Sequence, residues 1–263
     1  MELGLKDKIA LVTASSKGIG KAVAEALVEE GCRVAICSRN KEDLVNAAAE
    51  IKRKTNYEPF WCVCDLSKSK DIETTFNTVH QHYGKIDILV NNCGGPVTGF
   101  LKELDEQSWA EAFEQVLMST IRFSKMVLPE MISHEWGRII NITSISVKQP
   151  IENLMLSNTF RSGIIGFTKS LSNETAKHGI TVNSVAPGHT LTRRAYELAV
   201  SKAKLTGKSH EEVLADMAKQ IPMNRLAAPE EIAALVTFLA SIKAGYITGT
   251  TIHVDGGFVK SVM

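Results

Sequence analysis

The chain has 263 residues and a formal net charge of +1, with 44% apolar and 22% charged residues. This composition excludes a disordered chain, which has fewer apolar residues, and a general nucleic-acid binder, which has a clear basic excess. No apolar run approaches the ~20 residues of a membrane helix, and Met1–Lys8 carries charges where a signal peptide has an apolar core, so we expect a cytoplasmic protein with no nucleic-acid or membrane partner.

Short apolar runs alternate along the chain with longer amphipathic segments. Strands are predicted at Ile9–Val12, Arg33–Cys37, Phe60–Cys64, Ile86–Val90, Arg138–Ile142, Thr181–Val185 and Thr251–Val254. Helices are predicted at Gly18–Glu30, Glu42–Lys54, Ile72–Tyr83, Trp109–Met131, Leu156–Lys177, Glu211–Lys219 and Pro229–Ala240. Strands that are apolar along their whole length need cover on both faces. The pattern therefore predicts an α/β fold: one doubly wound Rossmann domain over residues 1–263, with a seven-stranded parallel sheet and helices on both faces.

Residues 189–222 interrupt this alternation and are rich in Lys, Ala, Glu and Ser. They follow the sixth predicted strand, and loops at the carboxyl ends of strands line the site of a doubly wound sheet. We interpret the segment as a substrate-covering lid within the domain. A plain helical excursion on the surface is the alternative.

The five cysteines lie in or beside apolar stretches. Such cysteines are usually small buried apolar residues of a reducing compartment. Cys62 and Cys64 have no second pair or histidine pair at zinc-ligand spacing, so we expect no metal site.

The first strand runs into a segment with two glycines, Thr13–Gly20, which opens the first helix. Glycine lets the backbone approach a ligand, and the free N–H groups at a helix N-terminus attract phosphate. Because the loop stands between the first strand and the first helix, it predicts a dinucleotide site.

The loop resembles the Thr-Gly-x-x-x-Gly-x-Gly signature of the short-chain dehydrogenase/reductase family, with Ala14 in place of the first glycine. Alanine takes many turn conformations, so the departure is small, but we expect that it does not adopt a positive φ easily at that position. Four further segments resemble family motifs, in the family's order: Asp65-Leu66, Asn91-Asn92-Cys93-Gly94, Asn183–Gly188 and Val254-Asp255-Gly256-Gly257. The resemblance spans nearly the whole chain, from about Leu5 to Val259.

The resemblance implies a nicotinamide dinucleotide cofactor. It assigns the cofactor contacts to Thr13, Ser15, Ser16, Lys17, Gly18, Ile19, Gly20, Ser38, Arg39, Asn40, Asp65, Leu66, Asn91, Cys93, Gly94, Arg161, Pro187, Gly188 and Thr190. An NAD site has an acidic residue at the end of the second strand, where this chain has Ser38, Arg39 and Asn40. Arg39, with Lys17 as a second cation, suits a 2′-phosphate, so we expect NADP(H). The alternative is that both cations are solvated surface charges.

The family transfers hydride between nicotinamide C4 and a carbonyl or alcohol carbon, and the resemblance implies the same reaction here. Ser144 matches the family's substrate-holding serine. Ser157 occupies the position of the family tyrosine, Arg161 that of its lysine, and Val116 lies near the position of its asparagine. This sequence thus retains one of four catalytic side chains.

The replacements change the available chemistry. A serine hydroxyl is far less acidic than a phenol, and a guanidinium stays protonated, so neither relays a proton as tyrosine and lysine do. Ser157 and Arg161 are four residues apart and share a helix face. We expect Ser144 and Ser157 to orient the carbonyl, and Arg161 to bind the ribose and stabilise negative charge. Water, the substrate or His189 would supply the proton, although His189 also fits an ordinary loop histidine.

The overall pattern resembles 3-oxoacyl-[acyl-carrier-protein] reductases with an incomplete tetrad. We therefore predict an NADP(H)-dependent reductase of a small-molecule or acyl-carrier-bound carbonyl substrate. Two alternatives stay open: an NADP(H)-binding sensor or partner protein without redox turnover, and an enzyme of non-redox chemistry such as dehydration. The resemblance also implies a homo-oligomer, either a tetramer or a dimer.

Overall fold

The computed structural model describes residues 2–262, without the side chains of Arg194, Ser201, Lys204 and Leu205. Its strands are β1 (Ile9–Val12), β2 (Arg33–Ser38), β3 (Phe60–Val63), β4 (Ile88–Asn91), β5 (Gly137–Ile142), β6 (Ile180–Pro187) and β7 (Thr251–Val254). They are parallel and form one sheet in the order β3-β2-β1-β4-β5-β6-β7. The predicted seven-stranded Rossmann sheet is confirmed. Met1 and Met263, the ends of the predicted single domain, lie outside the described residues.

Helices cover both faces of the sheet, as predicted. They are α1 (Gly18–Glu29), α2 (Lys41–Thr55), α3 (Ser69–Tyr83), α4 (Glu106–Ala112), α5 (Ser119–Ser133), α6 (Met155–Thr175), α7 (Arg193–Thr206), α8 (His210–Lys219) and α9 (Pro229–Ala240). The single helix predicted at Trp109–Met131 is in fact α4 and α5 joined by a π-helical segment, Phe113–Met118.

The central strands are largely apolar because each one supplies both cores. Along β1, Ala10 and Val12 face the core shared with α1, α2 and α9, whereas Leu11 faces the core shared with α3 and α5. Successive side chains of a strand point to opposite faces, so every residue of a central strand is buried.

A chain of polar side chains crosses the second of these cores. The Asn91 amide nitrogen donates to Asn141 Oδ1 at 2.9 Å, and the Asn141 amide nitrogen donates to Thr168 Oγ1 at 2.9 Å. Thr168 Oγ1 in turn lies 2.8 Å from Ser184 Oγ. This chain of hydrogen bonds links β4, β5, α6 and β6, and all four of its residues are buried.

The segment 189–222 differs from its prediction in one helix. The helix predicted at Glu211–Lys219 is α8, but α7, which precedes it, was not predicted. Thr192 caps α7 by accepting from the Ala195 N–H, and Gly207 ends it at φ 69°. None of the helices in residues 2–262 combines the length and the apolar character of a membrane span.

The cysteines are free thiols, and Cys32, Cys37 and Cys64 are buried. Burial raises the pKa of Cys32 to about 12 and that of Cys62 to about 12. These thiols therefore stay protonated and pack as small apolar groups, as the sequence suggested.

Candidate active site

The order of the strands opens a crevice at the carboxyl edge of the sheet. β1 pairs with β2 on one side and with β4 on the other. The chain therefore adds strands in one direction from β1 to β3 and in the opposite direction from β4 to β7. A doubly wound sheet binds its ligand at such a switch point. The predicted cofactor and catalytic segments follow the carboxyl ends of β1 to β6, and the fold brings them to this edge.

Two side chains fix the loop after β1 by hydrogen bonds with neighbouring strands. Thr13 Oγ1 donates to Asn92 O at 2.6 Å and accepts from Asn92 N at 2.8 Å. Ser15 Oγ donates to Val12 O at 2.6 Å and accepts from Cys37 N at 3.2 Å. Both side chains are buried, so their role in this structure is to hold the backbone of the loop.

The glycines of the loop are required by space and conformation. A Cβ at Gly20 would lie 2.5 Å from Ala14 O and 2.7 Å from Asn92 Nδ2, closer than atoms can approach. Gly18 has φ 56° and begins α1 after Lys17, whose side chain makes no capping hydrogen bond. The first N–H groups of α1, including that of Ile19, therefore have no side-chain cap and suit a phosphate.

Ala14 corrects one expectation about this loop. Its φ is 45°, in the left-handed region that alanine was expected to avoid. Its carbonyl accepts from Asn92 Nδ2 at 3.0 Å, and the next residue is tied to Cys37 O by a 3.0 Å bond. These hydrogen bonds hold the turn in the conformation that a glycine would adopt freely. A left-handed alanine costs roughly 1–2 kcal/mol.

The end of β2 carries the cations predicted to select the cofactor. Arg39 is exposed and makes no ion pair with any of the described residues. Lys17, in contrast, pairs with Asp43 at 2.6 Å. Asn40 accepts from the Asp43 N–H and caps α2, so Asp43 lies in the first turn of that helix. Sequence reasoning missed Asp43, which places a carboxylate beside the predicted 2′-phosphate site.

The remaining predicted cofactor residues lie on the same edge. Asp65, just after β3, accepts from the N–H and hydroxyl groups of Ser67, and Leu66 beside it is buried. Gly94 O accepts from Gln115 Nε2 at 3.1 Å. Thr190 Oγ1 donates to Gly188 O at 3.1 Å, just beyond Pro187 at the end of β6. Ser16 and Ser38 are half-buried in the two loops beside α1 and α2.

Ser144 lies two residues beyond β5 at the mouth of the crevice. Its Oγ accepts from Ser146 N at 3.1 Å, so its own hydroxyl proton is free to be donated. Ser146 Oγ is buried and has no hydrogen-bond partner within residues 2–262. Sequence reasoning missed Ser146, although its place one residue after the Ser144-Ile145 pair is visible in the sequence.

Ser157 and Arg161 lie one turn apart on α6, and both are buried, at 9% and 6% exposure. Arg161 Nη1 donates to Ile142 O and Thr143 O, each at 3.0 Å. Its Nη2 lies 3.5 Å from Cys93 O and 3.6 Å from Cys93 Sγ. The guanidinium thus connects the end of β5 with the loop after β4, at the floor of the crevice.

The other two sequence candidates lie less favourably for proton transfer. Val116 is fully buried within the π-helical segment and offers no polar atom. His189 packs edge-on against Phe258, with ring centroids 5.0 Å apart. Burial, together with the charge of Lys202, lowers the pKa of His189, so its ring is neutral at pH 7 and a weak proton donor.

The family model described as Enoyl-(Acyl carrier protein) reductase matches residues 13–259. The 3-oxoacyl-[acyl-carrier-protein] reductase FabG of Vibrio cholerae serotype O1 is 37% identical over 255 residues, which cover 97% of this chain and 98% of that protein. The chain is a member of the short-chain dehydrogenase/reductase family. This membership confirms the family resemblance of the glycine loop and of the later motifs.

Solved structures of the short-chain dehydrogenase/reductase family superpose closely on this fold. L-Sorbose reductase from Gluconobacter frateurii, complexed with NADPH and L-sorbose, matches with a TM-score of 0.95 and 31% identity over 100% of both chains. Actinorhodin polyketide ketoreductase with NADPH matches with a TM-score of 0.93 and 33% identity, covering 97% of this chain and 98% of that one. The family thus includes NADPH-bound reductases of this architecture.

Proposed function

We propose that the protein is an NADP(H)-dependent oxidoreductase that transfers hydride between nicotinamide and a carbonyl or alcohol substrate. One observation carries the proposal: the loop after β1 leaves space only for backbone at Gly20 and presents the uncapped start of α1 beside Lys17 and Arg39. This geometry suits a dinucleotide with an additional phosphate. The NADPH in the solved relatives supports the same assignment.

The residues present fit that cofactor along its whole length. The loop from Thr13 to Gly20 would hold the pyrophosphate, and Arg39 with Lys17 the 2′-phosphate. Asp65 and Leu66 would flank the adenine, and the residues from Asn91 to Gly94 and from Pro187 to Thr190 the nicotinamide half. When bound, NADPH supplies the hydride.

The chain's own side chains would orient the substrate oxygen. Ser144 has a free hydroxyl proton because its oxygen already accepts from Ser146 N. Ser157 adds a second hydroxyl, and the positive charge of Arg161 stabilises charge that develops on the oxygen. Arg161 also fits the predicted contact with the ribose. A 3-oxoacyl substrate on an acyl carrier agrees with the relatives, which are named for that reaction.

Residues 189–222 would act as the lid over this substrate. Thr192, at the start of α7, reaches the phosphate loop: its Cγ2 lies 3.2 Å from the position that a Cβ on Gly18 would take. The proposed lid therefore contacts the loop that would bind the phosphates of the nucleotide. We also propose that the protein forms a homo-oligomer, either a tetramer or a dimer, as the family resemblance implies.

The test combines binding and turnover. NADPH fluorescence measures cofactor affinity, and NADPH absorbance follows oxidation against a panel of carbonyl compounds. We expect tighter binding of NADPH than of NADH and oxidation with at least one carbonyl. Tight binding without turnover on any substrate would favour a sensor or partner protein, and no affinity for either nucleotide would overturn the proposal.

A further inference from the structure

Two arginines are buried among the described side chains, and they differ in how their guanidinium groups are satisfied. Arg138 donates from Nε and Nη1 to the backbone carbonyls of three residues, and its guanidinium carbon lies 4.6 Å from the centre of the Trp136 ring. These contacts link loops at the amino edge of the sheet. A buried arginine is therefore not by itself a binding site, and Arg161 has to be judged by its own contacts.

Arg161 keeps one side of its guanidinium without a strong partner. Nη1 donates to Ile142 O and Thr143 O at 3.0 Å each. Nη2 lies 3.5 Å from Cys93 O and 3.6 Å from Cys93 Sγ, and Nε donates to none of the described residues. Nε and Nη2 form the side of a guanidinium that binds a carboxylate through two parallel hydrogen bonds.

Arg161 Nε and Ser157 Oγ are both accessible from the crevice. Neither atom makes a hydrogen bond with a described residue, yet neither belongs to the fully buried polar atoms of the structure that lack a partner. The small exposed areas of the two residues, 6% and 9%, therefore include these polar atoms. Both residues lie at the floor of the crevice, so a ligand there can reach the two atoms together.

The charge of Arg161 is not balanced by any described residue, because all of its contacts are with neutral groups. A guanidinium stays charged in a protein, and burying a charge without an opposite charge costs free energy. A bound anion would recover part of that cost. A single cation matches a singly charged carboxylate better than a phosphate monoester, whose charge at pH 7 is about −1.5 to −2.

We infer that the carbonyl substrate is a small 2-oxo acid whose carboxylate binds to Nε and Nη2 of Arg161. The inference rests on the proposed function and names the substrate class of the same site. Arg161 Nη1 lies 3.0 Å from Thr143 O, in the residue before Ser144. Ser157 and Arg161 are one helical turn apart, a spacing that places Cβ atoms about 5–6 Å apart. The carboxylate and the ketone must therefore be close together, as on the adjacent carbons of a 2-oxo acid.

The side chains of the site have separate roles in the reduction. The 2-oxo carbon receives a hydride with its electron pair from NADPH, and the C=O electrons move to the oxygen. Ser144, which accepts from Ser146 N and keeps its own proton, donates a hydrogen bond to this oxygen together with Ser157. The oxygen then takes a proton from water, and the hydroxide is neutralised by solvent. The products are the 2-hydroxy acid and NADP⁺, and the carboxylate stays paired with Arg161.

The mouth of the crevice suits a short apolar chain on the other side of the ketone. Gly99 N donates to Asn153 O at 3.0 Å, which brings together the loops that follow β4 and β5. Val97 and Leu101 are exposed in the first of these loops, and Met155 is exposed at the start of α6. Exposed apolar side chains around a crevice indicate an apolar ligand. We therefore expect a 2-oxo acid with an apolar chain.

A binding experiment tests the carboxylate site without turnover. Oxamate is an analogue of a 2-oxo acid, and oxamide is its neutral counterpart of nearly the same shape. Isothermal titration calorimetry compares the two ligands on protein saturated with NADPH. We expect oxamate to bind at least about tenfold more tightly, which corresponds to one charge-assisted hydrogen bond. Arg161→Met should reduce this ratio to about one, whereas Ser157→Ala should weaken both ligands alike, about three- to tenfold.

Arg33→Met is the matched control, because it removes one positive charge at the amino edge of the sheet, where Arg33 pairs with Asp7. It should leave the ratio of the two affinities unchanged. If Arg161→Met does not fold, Arg161→Gln takes its place, because its amide can still donate to the backbone carbonyls. Equal affinities of wild-type protein for oxamate and oxamide, or an equal effect of the control, would overturn the carboxylate site.

A turnover experiment identifies the substrate class. The protein is offered 2-oxohexanoate, its neutral methyl ester, and the N-acetylcysteamine thioester of 3-oxohexanoate, which mimics a substrate on an acyl carrier. We expect kcat/KM for NADPH oxidation to be at least about tenfold higher with the acid than with the ester, and Arg161→Met to remove this advantage.

The outcomes separate this inference from the proposed function. Faster reduction of the ester or of the thioester overturns the 2-oxo acid and leaves the proposed function intact. NADPH binding without oxidation by any of the three compounds also overturns the 2-oxo acid, and the wider panel of carbonyl compounds then decides the proposed function. Absence of NADPH binding overturns both.

Discussion

The loop after β1 and the helix α6 face the same crevice, and we infer that they have diverged from the family to different degrees. The loop retains its family pattern except at Ala14, and even that alanine adopts a positive φ. The family resemblance places Ser157 and Arg161 of α6 at the positions of the family's tyrosine and lysine, and we interpret both reactive side chains as replaced. Nucleotide binding depends mainly on backbone geometry, whereas proton transfer depends on specific functional groups that one substitution removes.

The largest test of this comparison restores the missing chemistry. Ser157→Tyr with Arg161→Lys reinstates a phenol and an amine one helical turn apart. Ketone reduction should rise about 10²–10⁴-fold, the usual contribution of a positioned general acid. Steady-state NADPH oxidation with cyclohexanone measures it. Ser157→Phe with Arg161→Lys is the control of equal bulk, and a similar gain in that variant would show that acidity is not the cause.

The reverse test breaks the backbone geometry of the loop. Gly20→Val places side-chain atoms where Ala14 O would be 2.5 Å from the new Cβ. The loop must shift, and NADPH affinity should fall at least about tenfold, which corresponds to losing one good phosphate interaction. Fluorescence titration measures the affinity. Gly166→Ala on α6, which has open space around its Cβ position, should retain wild-type affinity.

The next largest effect is expected on the preference for NADPH over NADH. Exposed charges contribute less to the binding free energy than a fixed backbone does. Arg39→Ala should weaken NADPH about tenfold, since a charge-assisted bond to phosphate is lost, and should leave NADH unchanged. Asp43→Asn should strengthen NADPH about threefold by releasing Lys17 from its 2.6 Å ion pair. Paired titrations with NADPH and NADH measure both. An equal change in the affinities for the two nucleotides would show that neither residue interacts with the 2′-phosphate.

Ala14→Gly tests the strain in the loop. Glycine adopts a φ of 45° without a steric penalty, so the variant should gain about 1 kcal/mol in the free energy of unfolding. Urea denaturation measures the gain. A loss of stability would mean that the alanine methyl group contributes more by packing than its conformation costs.

The smallest expected effect concerns acid. The folded-state pKa of His189 lies below its unfolded value, so protonation favours the unfolded chain. The neutral ring contributes stability above its unfolded pKa of about 6.5, and this contribution is lost as the pH falls through the folded value. His189→Gln should therefore show a smaller drop in melting temperature than wild type between pH 7 and pH 5. Parallel curves for the two proteins would contradict this assignment.

Patterns within a few residues predicted most of the fold. β1, α9 and β7 lie where they were predicted, because short apolar runs, a proline at a helix start and a regular spacing of apolar residues are local signals. α7 was missed because it follows an irregular stretch, and the side chains of α7 that are described as buried are the two small residues Ala195 and Ala199. The π-helical segment Phe113–Met118 was missed because its sequence reads as an ordinary amphipathic helix.

The parts of the site that are formed by residues close in sequence could be predicted. The parts that are formed by residues far apart in sequence could not. The glycine loop could be read directly. The ion pair of Lys17 and Asp43 joins residues that are 26 positions apart in the sequence, and Arg161 contacts Cys93, which is 68 positions away in the sequence. Such contacts depend on how α2 and α6 pack against the sheet, which no local pattern encodes.

The buried line from Asn91 through Asn141 and Thr168 to Ser184 has a consequence for how the chain finds its structure. If β5 slipped by one residue against β4, Asn141 would point to the opposite face and lose both Asn91 and Thr168 as partners, and the Asn91 amide nitrogen would keep only Ser124 Oγ. Each such orphaned group costs about 1–3 kcal/mol. Wholly apolar strands could pair in several registers. These few polar side chains favour the observed register over the others.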